Sequence, residues 1–137
     1  MKLFITEGPG LPAWSAPISH AVVVDHTCYL SGQLSVGRDG SYLPGPADEE
    51  ARRAFENLFA ATRAAGFEPA DLVFVEIAFA DLAELPAVNA VWCELFAVGR
   101  RPARTVSQAA ALPYGARVKI VGVAVRERAP PRRRNRA

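Results

Sequence analysis

Two stretches of this chain are apolar on both faces of the strands they would form, and no other feature restricts its fold as much. Leu72-Val73-Phe74-Val75-Glu76-Ile77-Ala78-Phe79 is a nearly continuous apolar run, rich in β-branched and aromatic residues. Such a run reads as a central strand covered on both sides. From Arg117 to Val125, alternation sets Arg117, Lys119, Val121, Val123 and Val125 on one face. Val118, Ile120, Gly122 and Ala124 take the other, and both faces are apolar along most of the length. With 137 residues the chain is long enough for one domain. Its periodicity supplies two helices, which cover one face of a sheet. The second face needs a partner, and another copy of the same chain is the simplest one.

The first helix is announced by Asp48, Glu49 and Glu50, placed where the positive end of a helix dipole favours carboxylates. Ala51, Phe55, Leu58, Phe59, Thr62 and Ala65 then share one face, and Gly66 supplies the stop. Leu85, Val88, Asn89, Trp92, Leu95 and Phe96 form a second stripe closed by Gly99, with Pro86 as its first helical residue. Leu3–Thr6 reads as an edge strand. Ala21–Val24 and Cys28–Ser31 read as a hairpin, and Arg104–Ala109 as a strand before the final one. The order is β-ββ-α-β-α-ββ, an α+β layer with both helices on one face.

Charge divides the chain. Residues 126–137 carry six arginines against one glutamate, while residues 1–125 hold ten bases and thirteen acids, a net charge of −3. This predicts one domain over 1–126 and a disordered Arg/Pro-rich tail over 127–137. A mildly acidic body argues against a nucleic-acid-binding core. Cys28 and Cys93 stand far apart, and two histidines in the whole chain leave no Cys/His zinc motif. No apolar run has the length of a signal peptide or membrane helix, so a soluble, cytoplasmic protein is expected.

Four segments carry a further signal: Tyr29-Leu30-Ser31-Gly32-Gln33, Ala87-Val88-Asn89, Pro102-Ala103-Arg104-Thr105 and Ala111-Leu112-Pro113. In order and spacing they resemble the RidA/YjgF family of reactive-intermediate deaminases, over about residues 15–126. The resemblance implies a chorismate-mutase-like fold, a mixed β-sheet with two helices packed on one face, assembled as a homotrimer with active sites between subunits. It also implies hydrolysis of 2-imino acids and their enamine tautomers to 2-oxo acids and ammonia, with neither metal nor organic cofactor.

By the same resemblance, Arg104 binds the substrate carboxylate and the backbone N–H of Val106 helps. The planar fork of an arginine suits that bidentate task. Ser31, Gly32 and Gln33 would shape the pocket floor, with Gly32 permitting close backbone approach. Asn89 interrupts an apolar stripe and is either structural glue or a polar group of the pocket. Three positions depart from the family pattern. Ile18 replaces a common tyrosine, Val106 a frequent cysteine, and Lys119 the glutamate that orients or activates water. A lysine near its ordinary pKa of ~10 is no general base. Lys119 is then a holder of a second anionic group, a partner for an acid of a neighbouring subunit, or a snorkelling strand lysine. His20 is either a substitute base or structural, and Trp14 and Tyr114 either cover a substrate or pack. The departures leave two alternatives open: a divergent enzyme acting on a pathway-specific carboxylated imine or tautomer, and a non-enzymatic ligand-binding trimer.

Overall fold

Phe55 and Leu58, on the buried face of the first helix, are fully excluded from solvent and join Leu30, Val75, Ile77 and Ile120 in one apolar cluster. Each such side chain contributes about 1.5–3 kcal/mol by leaving water. A computed structural model describes residues 1–127. Its elements are β1 (Lys2–Ile5), β2 (Ala21–Val24), β3 (Thr27–Gln33), α1 (Ala47–Ala64), β4 (Leu72–Phe79), α2 (Leu85–Leu95), β5 (Ala103–Gln108) and β6 (Val118–Val125). The strands form one mixed sheet in the order β1-β2-β3-β6-β4-β5. Only β4 and β5 pair in parallel, across the α2 crossover. This is the α+β layer expected from the sequence, with β4 and β6 inside the sheet. All but Glu127 of the expected tail lies outside the described residues.

Local chemistry explains most boundaries. The carboxylates Asp48, Glu49 and Glu50 occupy the first turn of α1, and Gly66 follows its end at φ 87°. The second helix ends earlier than the stripe to Gly99 implies. Phe96 turns out of helical geometry, and its ring packs 4.6 Å from Trp92 and 5.8 Å from Phe55, centre to centre. Tertiary packing therefore stops α2 at Leu95, and Gly99 serves a later turn. Pro86 is the second helical residue rather than the first. Gly122 lets α1 approach the sheet: a Cβ there would lie 3.1 Å from Leu72 and 3.4 Å from Leu58.

Both helices lie on one side of the sheet. On the other, Phe4, Val22, Tyr29, Val123 and Phe74 align across five strands in register. Phe4 is 60% exposed and Tyr29 54%. Within one chain this row faces outward. No helix among the described residues is long and apolar enough to cross a membrane.

Candidate active site

Where β3 ends and β6 begins, the pairing between them slips by one residue: Leu30 faces Gly122, but Gln33 faces Ile120. The extra residue makes a bulge at Ser31-Gly32, a device that re-aims side chains at a sheet's rim. Lys119 lies beside it. A Cβ on Gly32 would fall 2.9 Å from its Cδ and 3.0 Å from its Cγ. Glycine is thus what lets the lysine stem cross the bulge. The alternation of β6 buries Val118 and Ile120 under the helices, so Lys119 points to the open face. Its side chain enters no salt bridge among the described residues.

Lys119 and Gly32 form part of a cavity of ≈ 580 Å³. Ile18, Trp14, Asp39 and Tyr114 also line it. Two of these are aromatic rings held from behind. Trp14 stacks on His20 with ring centres 3.6 Å apart. The His20 Nε2 contacts the Pro12 carbonyl at 3.0 Å, which a ring N–H must donate to. Its Nδ1 is therefore the acceptor for the Gln33 amide at 3.3 Å. Both ring nitrogens are occupied, so His20 is a strut behind Trp14 and not a free base. Burial lowers its pKa, opposed by the hydrogen bond to Pro12.

Tyr114 is set differently. It adopts φ 64° between Pro113 and Gly115. Left-handed backbone at a bulky residue costs about 1–2 kcal/mol, so its surroundings must hold it. Its ring stacks on Tyr42 at 5.9 Å, nearly parallel. The Tyr42 hydroxyl donates to Glu50 Oε2 at 2.5 Å, and the other oxygen of this fully buried carboxylate accepts the Arg117 N–H at 3.0 Å. Burial, then the Glu50 contact, push the Tyr42 pKa up to about 12. Also lining the cavity, Asp39 accepts from the Ser41 hydroxyl and backbone N–H, both on its Oδ1. These hydrogen bonds hold its carboxyl below the usual carboxylate range.

Arg104 stands elsewhere. It projects from the edge strand β5 toward α2, where its Nη1 donates to Asn89 Oδ1 at 2.8 Å. Its guanidinium carbon sits 4.8 Å from the centre of the Trp92 ring. Asn89 and Trp92, one helical turn apart, fix the fork from behind and leave its outer edge open. In a single chain Arg104 and Lys119 lie two strands apart and on opposite sides of the sheet.

The sequence-expected residues accordingly fall into three groups. Gly32, Ile18 and Lys119 line the cavity. Arg104, Asn89 and Val106 belong to the β5–α2 edge, with Val106 packed against the core. Ser31 and Gln33 face segment 19–20: the Ser31 hydroxyl donates to the Ser19 carbonyl at 2.6 Å. Asp39 was invisible in the sequence, because Gly37-Arg38-Asp39-Gly40 carries only a turn signal. The thiol of Cys28 is buried and pushed up to about 11, which keeps it protonated and unreactive.

The family described as endoribonuclease L-PSP matches residues 11–126. The chain belongs to this family, the RidA/YjgF family. It is 41% identical over 115 residues to the 2-iminobutanoate/2-iminopropanoate deaminase of Capra hircus, covering 83% of each chain. It is 38% identical to the protein of that name from Dermatophagoides farinae, covering 90% of this chain and 96% of the relative. Among solved structures, RidA from the Antarctic bacterium Psychrobacter superposes with a TM-score of 0.82 at 31% identity, covering 88% of this chain and 98% of that one. Against the RidA/YjgF pattern, two of the departures, Ile18 and Lys119, line the cavity.

Proposed function

We propose that this chain hydrolyses 2-imino acids to 2-oxo acids and ammonia, in a cleft completed by a second copy of itself. The observation that carries the reading is Arg104, held by Asn89 and Trp92 with its outer edge open, in a chain similar to proteins named imine deaminases. Arg104 takes the substrate carboxylate in a bidentate pair. Water attacks the carbon of the protonated imine, forming a C–O bond as the C=N π pair moves to nitrogen. The attacking water gives one proton to a base, and the amine nitrogen gains one. The carbinolamine, protonated on nitrogen, then collapses: its hydroxyl gives up a proton as the C=O bond forms, the C–N bond breaks and ammonia leaves. A protonated imine is electrophilic enough to need only a weak base, and Asp39 is the carboxylate in the cavity.

The assembly is read as a homotrimer. The open face carries the Phe4–Val22–Tyr29–Val123–Phe74 row, which another copy would bury. Such packing would also bring the β5–α2 edge of one copy against the cavity of the next. The protein is read as one domain over 1–126 working in solution in the cytoplasm. The RNA cleavage in the family's description finds less support: one lysine and one aspartate in the cavity, and a net charge of −3 over residues 1–125, make a poor phosphate track.

The test is release of 2-oxo acid from freshly generated 2-iminobutanoate. Arg104→Ala should lower kcat/KM about 100-fold, on the scale of a lost charge-assisted pair. Asp39→Asn should lower kcat more than it changes KM. A wild-type rate equal to that of buffer overturns the proposal.

A further inference from the structure

The ≈ 580 Å³ cavity of a single chain would be shared with the β5–α2 edge of the neighbouring copy, so its walls say more about the ligand than its volume does. Those walls are specialised. Trp14 is backed by His20 and Tyr114 by Tyr42, so two rings are stacked in place before any ligand arrives. Preorganised rings bind planar groups without paying side-chain ordering costs again. Tyr114 in particular is kept at a left-handed φ of 64°, lines the cavity and is 60% exposed. A strained, exposed aromatic is placed for contact and not for core packing.

The charge pattern adds a second requirement. Lys119 lines the same cavity without a salt-bridge partner among the described residues. Asp39 lines the cavity too, but only its Oδ1 is engaged, by Ser41 on its own loop, and no salt bridge joins it to Lys119 among the described residues. Arg104 is the anchor for the 2-carboxylate, so Lys119 is available for a different anion.

We propose that the cavity selects a 2-imino acid bearing a planar ring and a second acidic group, the ring against Trp14 and Tyr114 and the acid on Lys119. This rests on the imine-hydrolase reading, and the reaction is the same, with the second acid unchanged. The substrate class therefore differs from the small aliphatic imines.

The test compares three imines generated in the assay by an amino-acid oxidase, from 4-carboxyphenylalanine, phenylalanine and 2-aminobutyrate. With the full chain, kcat/KM for the carboxylated ring should exceed that for the plain ring by about tenfold, the scale of one charge-assisted hydrogen bond. Lys119→Met should abolish that ratio. Tyr114→Ala should lower the ratio of phenylalanine imine to 2-iminobutanoate about fivefold, the scale of an aromatic contact. If 2-iminobutanoate is hydrolysed and neither ring substrate is favoured, or Lys119→Met leaves the ratio intact, the substrate class is wrong and the imine-hydrolase reading stands. If none of the three is hydrolysed, that reading falls, and calorimetric binding of the two 2-oxo acids decides the class. Tighter binding of 4-carboxyphenylpyruvate than phenylpyruvate, lost in Lys119→Met, supports it; equal binding overturns it.

Discussion

Burial, not titration, defines His20. Its ring is 1% exposed, wedged behind Trp14 with both nitrogens engaged. The folded-state pKa lies below the ordinary 6.5, chiefly from desolvation. Below 6.5 the unfolded chain binds a proton that the folded chain refuses, so stability falls as pH drops toward the folded value. His20→Gln lacks this proton linkage while keeping an amide donor for the Pro12 carbonyl. Thermal melts at about pH 7.5 and 5 should show a larger loss of Tm for the natural chain than for the variant. The sequence offered His20 as a base or a structural group, and could not decide because the partners that enclose it, Pro12 and Trp14, come from an irregular loop. Gly32 was better legible: the family motif marked it, although only the structure identifies Lys119 as the group that needs the space.

One buried carboxylate joins several elements. Glu50, in the first turn of α1, accepts from Tyr42, from the Gly45 N–H and from the Arg117 N–H that leads into β6. It therefore fixes the helix start, the loop behind Tyr114 and the entry to β6 together. Glu50→Ala leaves three donors without their acceptor and should cost about 3 kcal/mol in urea unfolding, with Glu50→Gln losing less. The helices and strands themselves were readable because their signals are local: an acidic first turn, a stop glycine, apolar stripes of period 3.6 or 2. Misplaced boundaries have tertiary causes. α2 ends at Leu95 because the Phe96 ring joins an aromatic cluster contributed by α1. In the sequence Glu50 shows only as a dipole-stabilising acid, since its burial depends on residues 42, 45 and 117, remote from its own turn.

For the whole molecule, the sequence's strongest statement concerned the face without helices, and the structure leaves an in-register apolar row there. Arg104 and the cavity sit on opposite sides of one sheet, so a site using both must draw them from different copies. That has a measurable outcome. Arg104→Ala and Asp39→Asn chains, each inactive alone, should recover about a quarter of full activity when co-expressed in equal amounts, since random assembly pairs intact halves at that frequency. A site contained within one chain would recover none. The clamp of Asn89 and Trp92 on Arg104 has a wider consequence. With Arg104 on the substrate carboxylate as proposed, the grip on the part common to all 2-imino acids would be built on β5 and α2, and the surface meeting the variable part on the β3 bulge, β6 and the neighbouring loops. Substitutions that retune what the enzyme accepts can accumulate in one of these regions while the other keeps the shared chemistry intact, so the sheet serves as a partition between what is inherited and what is free to diverge.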